Sequence, residues 1–168
     1  MSMQAKEEGG GRFGPLHTLI TVWALAGGAL IALVVAVNVL SVAGSALWRP
    51  FPGDFEITEM GVAVAASMFL PYCQLNHCNV TADIFTAGLP PRWVAALSAL
   101  ASLVALGFSL LLLTRMYAGM LDQKAYSYTT AILQLPHWMA YAVFLVSLFL
   151  LAIAAVMTFV GNVRDAKA

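Results

Sequence analysis

The stretch "LPYCQLNHCNVTADIF", Leu70 to Phe85, places two cysteines, a histidine, two asparagines and an aspartate at the end of an apolar run. Cys73 and His77 stand four apart, on one face of a helix, which is a metal-ligand spacing. Cys78 falls beyond the expected helix end, and no second ligand cluster exists to complete a site. Cysteines packed among helices and a histidine at the aqueous boundary account for the same residues without a metal. A membrane haem held by two histidines needs them facing at similar depth. The chain has only His17, His77 and His137. His137 falls on the side opposite the other two, and neither His17 nor His77 has an apolar pocket around it. No nucleophile–base pair shares a common depth, so the residues point to no enzyme, no metal and no cofactor.

The elements that carry these residues are apolar. The chain has 168 residues, 61% hydrophobic and 10% charged, with a mean hydropathy of +0.86. Soluble domains run nearer 25% charged, so the composition is that of a small polytopic membrane protein. Net charge is zero, which leaves no electrostatic footprint for nucleic acid. Two cysteines do not make a disulfide framework. The first apolar run is too long for a signal-peptide core and reads as a retained transmembrane helix.

Hydrophobicity and Pro/Gly punctuation divide the chain. Residues 1–15 read as a disordered cytoplasmic leader, rich in glycine and charge. Residues 16–162 form one all-α membrane domain of four transmembrane helices, with spans at about 16–48, 57–75, 93–114 and 136–161. Residues 163–168 are a cytoplasmic tail. Between the first two spans, "RPFPGDFEITE" breaks the helix, and Asp54 or Thr58 is expected to cap the next one. Glu56 and Glu59 follow, where negative charge is favourable at a helix N-terminus. Pro71 predicts a kink or an early loosening of the last turn. "GLPPRW" restarts the third helix, and Asp83 reads as a plain surface acid, as the cap of a short helix, or as a partner of Arg92 across the turn. The connection from Arg115 to Leu135 permits a helix continuing beyond the membrane over Asp122, Gln123 and Lys124, or short interfacial helix, with Tyr117, Tyr126 and Tyr128 as interface residues. "PHW" opens span four, with Pro136 in its first turn and Trp138 at the interface.

Four spans put both termini on one side. That side carries Lys6, Arg12, Arg92, Arg164 and Lys167, five cations against Arg49, Arg115 and Lys124, three, on the other. The positive-inside rule then places both termini in the cytoplasm. No Asp, Glu, Lys or Arg lies in a span core. Ion-coupled transport paths usually keep ionisable or unwound polar sites near mid-membrane, so this chain is not expected to carry such a path by itself. Ala24, Gly27, Gly28 and Ala32 in span one, with Gly61, Ala65 and Ala66 in span two, permit close helix approach.

With these motifs in order, the sequence resembles the small membrane subunit of tripartite ATP-independent periplasmic (TRAP) transporters, the DctQ-type permease. "DFEITE", Asp54 to Glu59, is similar to the family's acidic entrance to its second helix. "FLPYCQLNHCNVTADIFTAGLP", Phe69 to Pro90, resembles its most recognisable stretch, a V-x-V-D segment leading to a Leu-Pro turn. Val80, Thr81, Ala82 and Asp83 fill that segment, with Ala82 where the family has valine. Asn79 matches the position just before it, and His77 inherits no role. "LPHWMAY", Leu135 to Tyr141, resembles the entrance to the fourth helix.

The resemblance implies a bacterial inner-membrane complex. A large multispanning permease (DctM-type) holds substrate and sodium sites, and a periplasmic solute-binding protein (DctP-type) delivers an organic anion, often a carboxylate. The large subunit moves as an elevator, and the small one extends the fixed scaffold among membrane lipids. Asp54, Glu56, Glu59, Pro71, Asn79, Asp83, Arg92, Pro136 and Trp138 are then candidate partner-interface or structural residues. Leu70 to Phe85 becomes the cytoplasmic end of span two, its polar groups either satisfying backbone where the helix breaks or contacting the large subunit. The rival readings are an assembly or stability factor for another membrane complex, and a stand-alone channel.

Overall fold

The computed structural model describes residues 14–47, 49, 51–76 and 91–167. It is all-helical, with four helices: α1 (Gly14–Leu47), α2 (Asp54–Leu75), α3 (Pro91–Ala125) and α4 (Trp138–Lys167). The stretch with His77, Cys78, Asn79 and Asp83 lies outside the described residues, as does most of the expected leader. Three described helical segments are long and apolar enough to cross a membrane: Gly14–Leu47, Leu97–Ala125 and Trp138–Gly161. α2 is not among them, because its first turns carry Asp54, Glu56 and Glu59.

α1 has 34 residues and α3 has 35. At 1.5 Å per residue each is about 50 Å long, well beyond the roughly 30 Å of hydrocarbon. α3 therefore continues past Thr114, where the span was expected to end, through Asp122 and Lys124. It stops in a Schellman motif. Ser127 takes the left-handed conformation (φ 50), its N–H bonds the Lys124 carbonyl, and the Tyr128 N–H bonds the Gln123 carbonyl.

The helices pack in the order α1–α2–α4–α3, with α4 between α2 and α3. α1 and α2 run antiparallel along a seam with alternating spacings of three and four. Gly27 sits on Met68 and Ala65, and Val34 sits on Gly61. Asn38 Nδ2 donates to Thr58 Oγ1 at 2.7 Å, and Ser41 Oγ donates to Asp54 Oδ2 at 2.5 Å. Of the expected small contact residues, Ala24, Gly27 and Ala65 are buried and Gly61 is half-buried against Val34. Ala32 and Ala66 are exposed, and Gly28 has open space beside it. The Ile20–Leu150–Ala154 cluster, overlaid by Trp23, Tyr72 and Leu75, ties α1 and α2 to α4.

Polar groups inside this packing are paired, as a low-dielectric interior requires. Trp23 Nε1 donates to Ser147 Oγ at 3.0 Å, and the Ser67 hydroxyl lies 3.3 Å from the same oxygen. Gln74 Nε2 donates to Thr158 Oγ1 at 3.1 Å. These pairs set α2 and α4 parallel. On the other flank α3 meets α4 antiparallel, with the Tyr141 ring 3.0 Å from where a Gly119 Cβ would lie. α2 stays helical through the buried Pro71 as far as Leu75, so the last turn is not lost. Much of α1 and α3 remains exposed and apolar, including Leu25, Leu33 and Val39 on α1 and Leu100, Val104 and Phe108 on α3.

Gly61 is the tightest point of the seam. A Cβ there would stand 2.5 Å from Val34 Cγ2, and valine in a helix has essentially one rotamer. Gly61→Ala is expected to lower stability by about 1–3 kcal/mol. Adding Val34→Ala should recover most of the loss, and thermal unfolding of the two variants in detergent checks both.

Candidate functional site

Of the expected site residues that can be placed, Asp54, Glu56, Glu59, Pro136 and Trp138 gather at the end of the molecule remote from the chain termini, while Pro71 and Arg92 lie toward the other end. At the remote end α2 begins, and α3 joins α4 through residues 126–137. The break between α1 and α2 ends on Gly53, whose φ of 85 suits glycine alone. The Gly53 carbonyl accepts the Ile57 N–H at 3.0 Å, so Gly53 is the N-cap and no side chain caps the helix. This corrects the expectation that Asp54 or Thr58 would cap a helix starting near Ile57. Asp54 is instead the first helical residue. Its Oδ1 accepts the Phe55 N–H at 2.7 Å, and its Oδ2 takes the Ser41 hydroxyl across the seam. Thr58 donates back to the Asp54 carbonyl at 2.7 Å while accepting from Asn38.

The α3–α4 connection is a small hairpin rather than further helix. Thr129 and Pro136 form an antiparallel bridge. Within it the Thr130 N–H reaches the Leu135 carbonyl, and the Leu135 N–H reaches Thr130 Oγ1, both at 3.0 Å. Gln134 is left-handed (φ 53), which lets the chain turn back. Pro136 therefore stands two residues ahead of α4 and not in its first turn. The Met139 N–H bonds the Pro136 carbonyl, and the Ala140 N–H bonds that of His137. Trp138 opens α4, with Lys124 Nζ 5.9 Å from its ring centroid, within cation–π range.

Glu56 fastens this hairpin to α2. Its Oε1 accepts the Ile132 N–H at 2.7 Å, and its Oε2 accepts the Leu133 N–H at 3.0 Å. Burial pushes the Glu56 carboxyl up, but the N–H donors of Leu133 and Ile132, with help from Thr130 and Ala131, outweigh it and hold the pKa below its ordinary value. Leu133 itself packs on Gly53, where a Cβ would meet the leucine at 2.5 Å. One carboxylate and one glycine thus clamp a turn some 76 residues away in sequence.

Beside the clamp lies a cavity of about 330 Å³, lined by Glu56, Glu59, Met60, Thr130, His137 and Tyr141 among others. Glu59 is exposed. His137 Nδ1 is buried with no hydrogen-bond partner. Among the described residues no group of three His, Cys, Asp or Glu is placed to hold a metal. Cys73 is a free, half-buried thiol on α2. Arg92 lies in the first turn of α3, remote from this end. Sequence reasoning did not find the hairpin, the Glu56 clamp or the role of His137. The nearest signal was the clustering of Asp54, Glu56 and Glu59 in "DFEITE".

Residues 31–165 match the family model described as "Tripartite ATP-independent periplasmic transporters, DctQ component". Among curated proteins and among solved structures, none matches the chain.

The clamp has a pH signature. Because the folded pKa of Glu56 lies below the ordinary 4.5, its contribution is complete above the unfolded value and is lost as pH falls through the depressed folded one. Amide exchange at Ile132 and Leu133 is therefore expected to be slow at neutral pH and to lose Glu56-dependent protection only below the ordinary carboxylate range. Glu56→Ala should remove that protection at every pH while leaving the exchange of α4 core amides unchanged. Hydrogen exchange read by mass spectrometry checks both.

Proposed function

From the premise that this chain belongs to the DctQ family of tripartite ATP-independent periplasmic transporter components, we propose that it is the non-catalytic scaffold subunit of a sodium-driven importer of an organic anion. The large DctM-type permease carries the substrate and sodium sites, and a DctP-type periplasmic protein delivers the anion. The proposal places the chain in the bacterial inner membrane with both termini in the cytoplasm. It takes α2 as the fourth span, its acidic first turns at the outer surface.

The single observation that carries the scaffold role is the absence of Asp, Glu, Lys and Arg from the membrane depth of the chain. From Leu16 to Trp48, Trp93 to Thr114 and Pro136 to Gly161 there is no charge. The buried hydroxyls of the helices close on their own backbone: Ser67 on Val64, Ser109 on Leu106, Thr158 on Ala154. Coupling to an ion gradient needs a group that changes partner or protonation during the cycle. Satisfied hydroxyls pinned to their own helices do not supply one. The exposed apolar faces of α1 and α3 suit lipid and a membrane partner.

Uptake into proteoliposomes tests this. The vesicles hold the large permease, a sodium gradient and the loaded binding protein, with and without this chain, and folding of the permease is verified in both. Uptake is expected only when the chain is present. Full uptake in its absence would contradict a subunit role and favour an assembly factor.

A further inference from the structure

The cavity at the outer end has one-sided chemistry. Glu59 is exposed and makes no hydrogen bond or ion pair with any described residue. Glu56 is engaged by the hairpin, through the Ile132 and Leu133 amides and the Thr130 and Ala131 donors, so Glu59 is the carboxylate left open. His137 Nδ1 is buried without a partner. Among the described residues no lysine or arginine lines the space, while Met60, Met116, Tyr141 and Phe144 form its walls. Acceptors at the polar end and thioether and aromatic walls around it suit a cation on an apolar stem.

We propose that this cavity receives a lysine or arginine side chain of the large permease subunit. The cationic head pairs with Glu59, beside Glu56 and His137, and the methylene stem lies along Met60, Met116 and Phe144. The cavity thereby fixes the register of the two subunits at the outer surface. A zwitterionic lipid head matches less well. Its phosphate stands close to its amine, and two carboxylates with no lysine or arginine among the described lining residues repel it. The inference rests on the partnership proposed above and adds to it the location and chemistry of one contact.

The test is the affinity of this chain for the large permease, both reconstituted in phosphatidylcholine nanodiscs free of amine lipids, for the wild type, Glu59→Gln and Glu59→Arg. Glu59→Arg is expected to weaken binding by about tenfold or more, and Glu59→Gln by a smaller factor. Neither should shift the thermal unfolding of the chain alone, since Glu59 holds nothing in it. If the wild type does not bind the permease, the partnership itself fails. If all three bind equally, the partnership stands and the cavity inference is overturned. If the Glu59 dependence appears only after phosphatidylethanolamine is added, a lipid amine fills the cavity and the inference is overturned as well. Should Glu59→Arg unfold earlier than the wild type, the isosteric Glu59→Gln decides, and equal affinity for it overturns the inference.

Discussion

One buried hydroxyl holds three of the four helices together. Ser147 on α4 accepts from the Trp23 indole of α1 and lies within hydrogen-bond distance, 3.3 Å, of the Ser67 hydroxyl of α2, and it is fully buried. Apolar attraction between helices is weak where lipid is as apolar as leucine. Position must then come from close approach at small residues and from polar groups that have nowhere else to turn. The α1–α2 seam supplies the first at Gly27 and Gly61. The pairs Asn38–Thr58, Ser41–Asp54 and Gln74–Thr158 supply the second, spaced from one end of α2 to the other. With α1 and α2 fixed to one another and both fixed to α4, α3 is left with α4 as its main support. The result is an extended row rather than a closed bundle, with a wide apolar surface.

The end remote from the chain termini obeys a different rule. Charged and polar residues gather there, and the backbone of residues 126–137 is not part of a long apolar helix. The hairpin instead bonds to itself through Thr130 and Leu135 and to α2 through Glu56. A row of helices with a free edge has little else to hold its connection still. The clamp gives the start of α4 a defined place against the start of α2, and the cavity lined by Glu59 and His137 follows from that placement.

Helix positions were largely legible in the sequence because long charge-free runs and Pro/Gly breaks are local signals. The breaks at Pro52–Gly53 and before Pro91 fall at helix starts, and the acidic turn at Asp54–Glu59 marks the end remote from the chain termini. Less legible was anything set by pairing across distance. Glu56 reads as a favourable charge at a helix N-terminus, and nothing local says that it binds the amides of Ile132 and Leu133. The residues at 126–137 have no strand pattern, since one bridge, at Thr129 and Pro136, makes the hairpin. Gly53 outcompeted Asp54 as the cap because the turn needs a positive φ more than it needs a side-chain oxygen. Ser41, Ser67 and Ser147 look unremarkable in apolar runs until the seam places them opposite partners.

If the chain is the scaffold proposed above, its row of helices stays one fixed body while its partner moves. The most direct measurement places spin labels at the exposed positions Leu33 on α1 and Leu103 on α3, with Cys73 and Cys78 replaced by alanine. The distance between them is then recorded by pulsed electron resonance in the complete complex, with and without sodium and loaded binding protein. One distance distribution, unchanged between conditions, is expected. A shift approaching a helical turn, about 5 Å, would contradict it and place part of the transport motion within this chain.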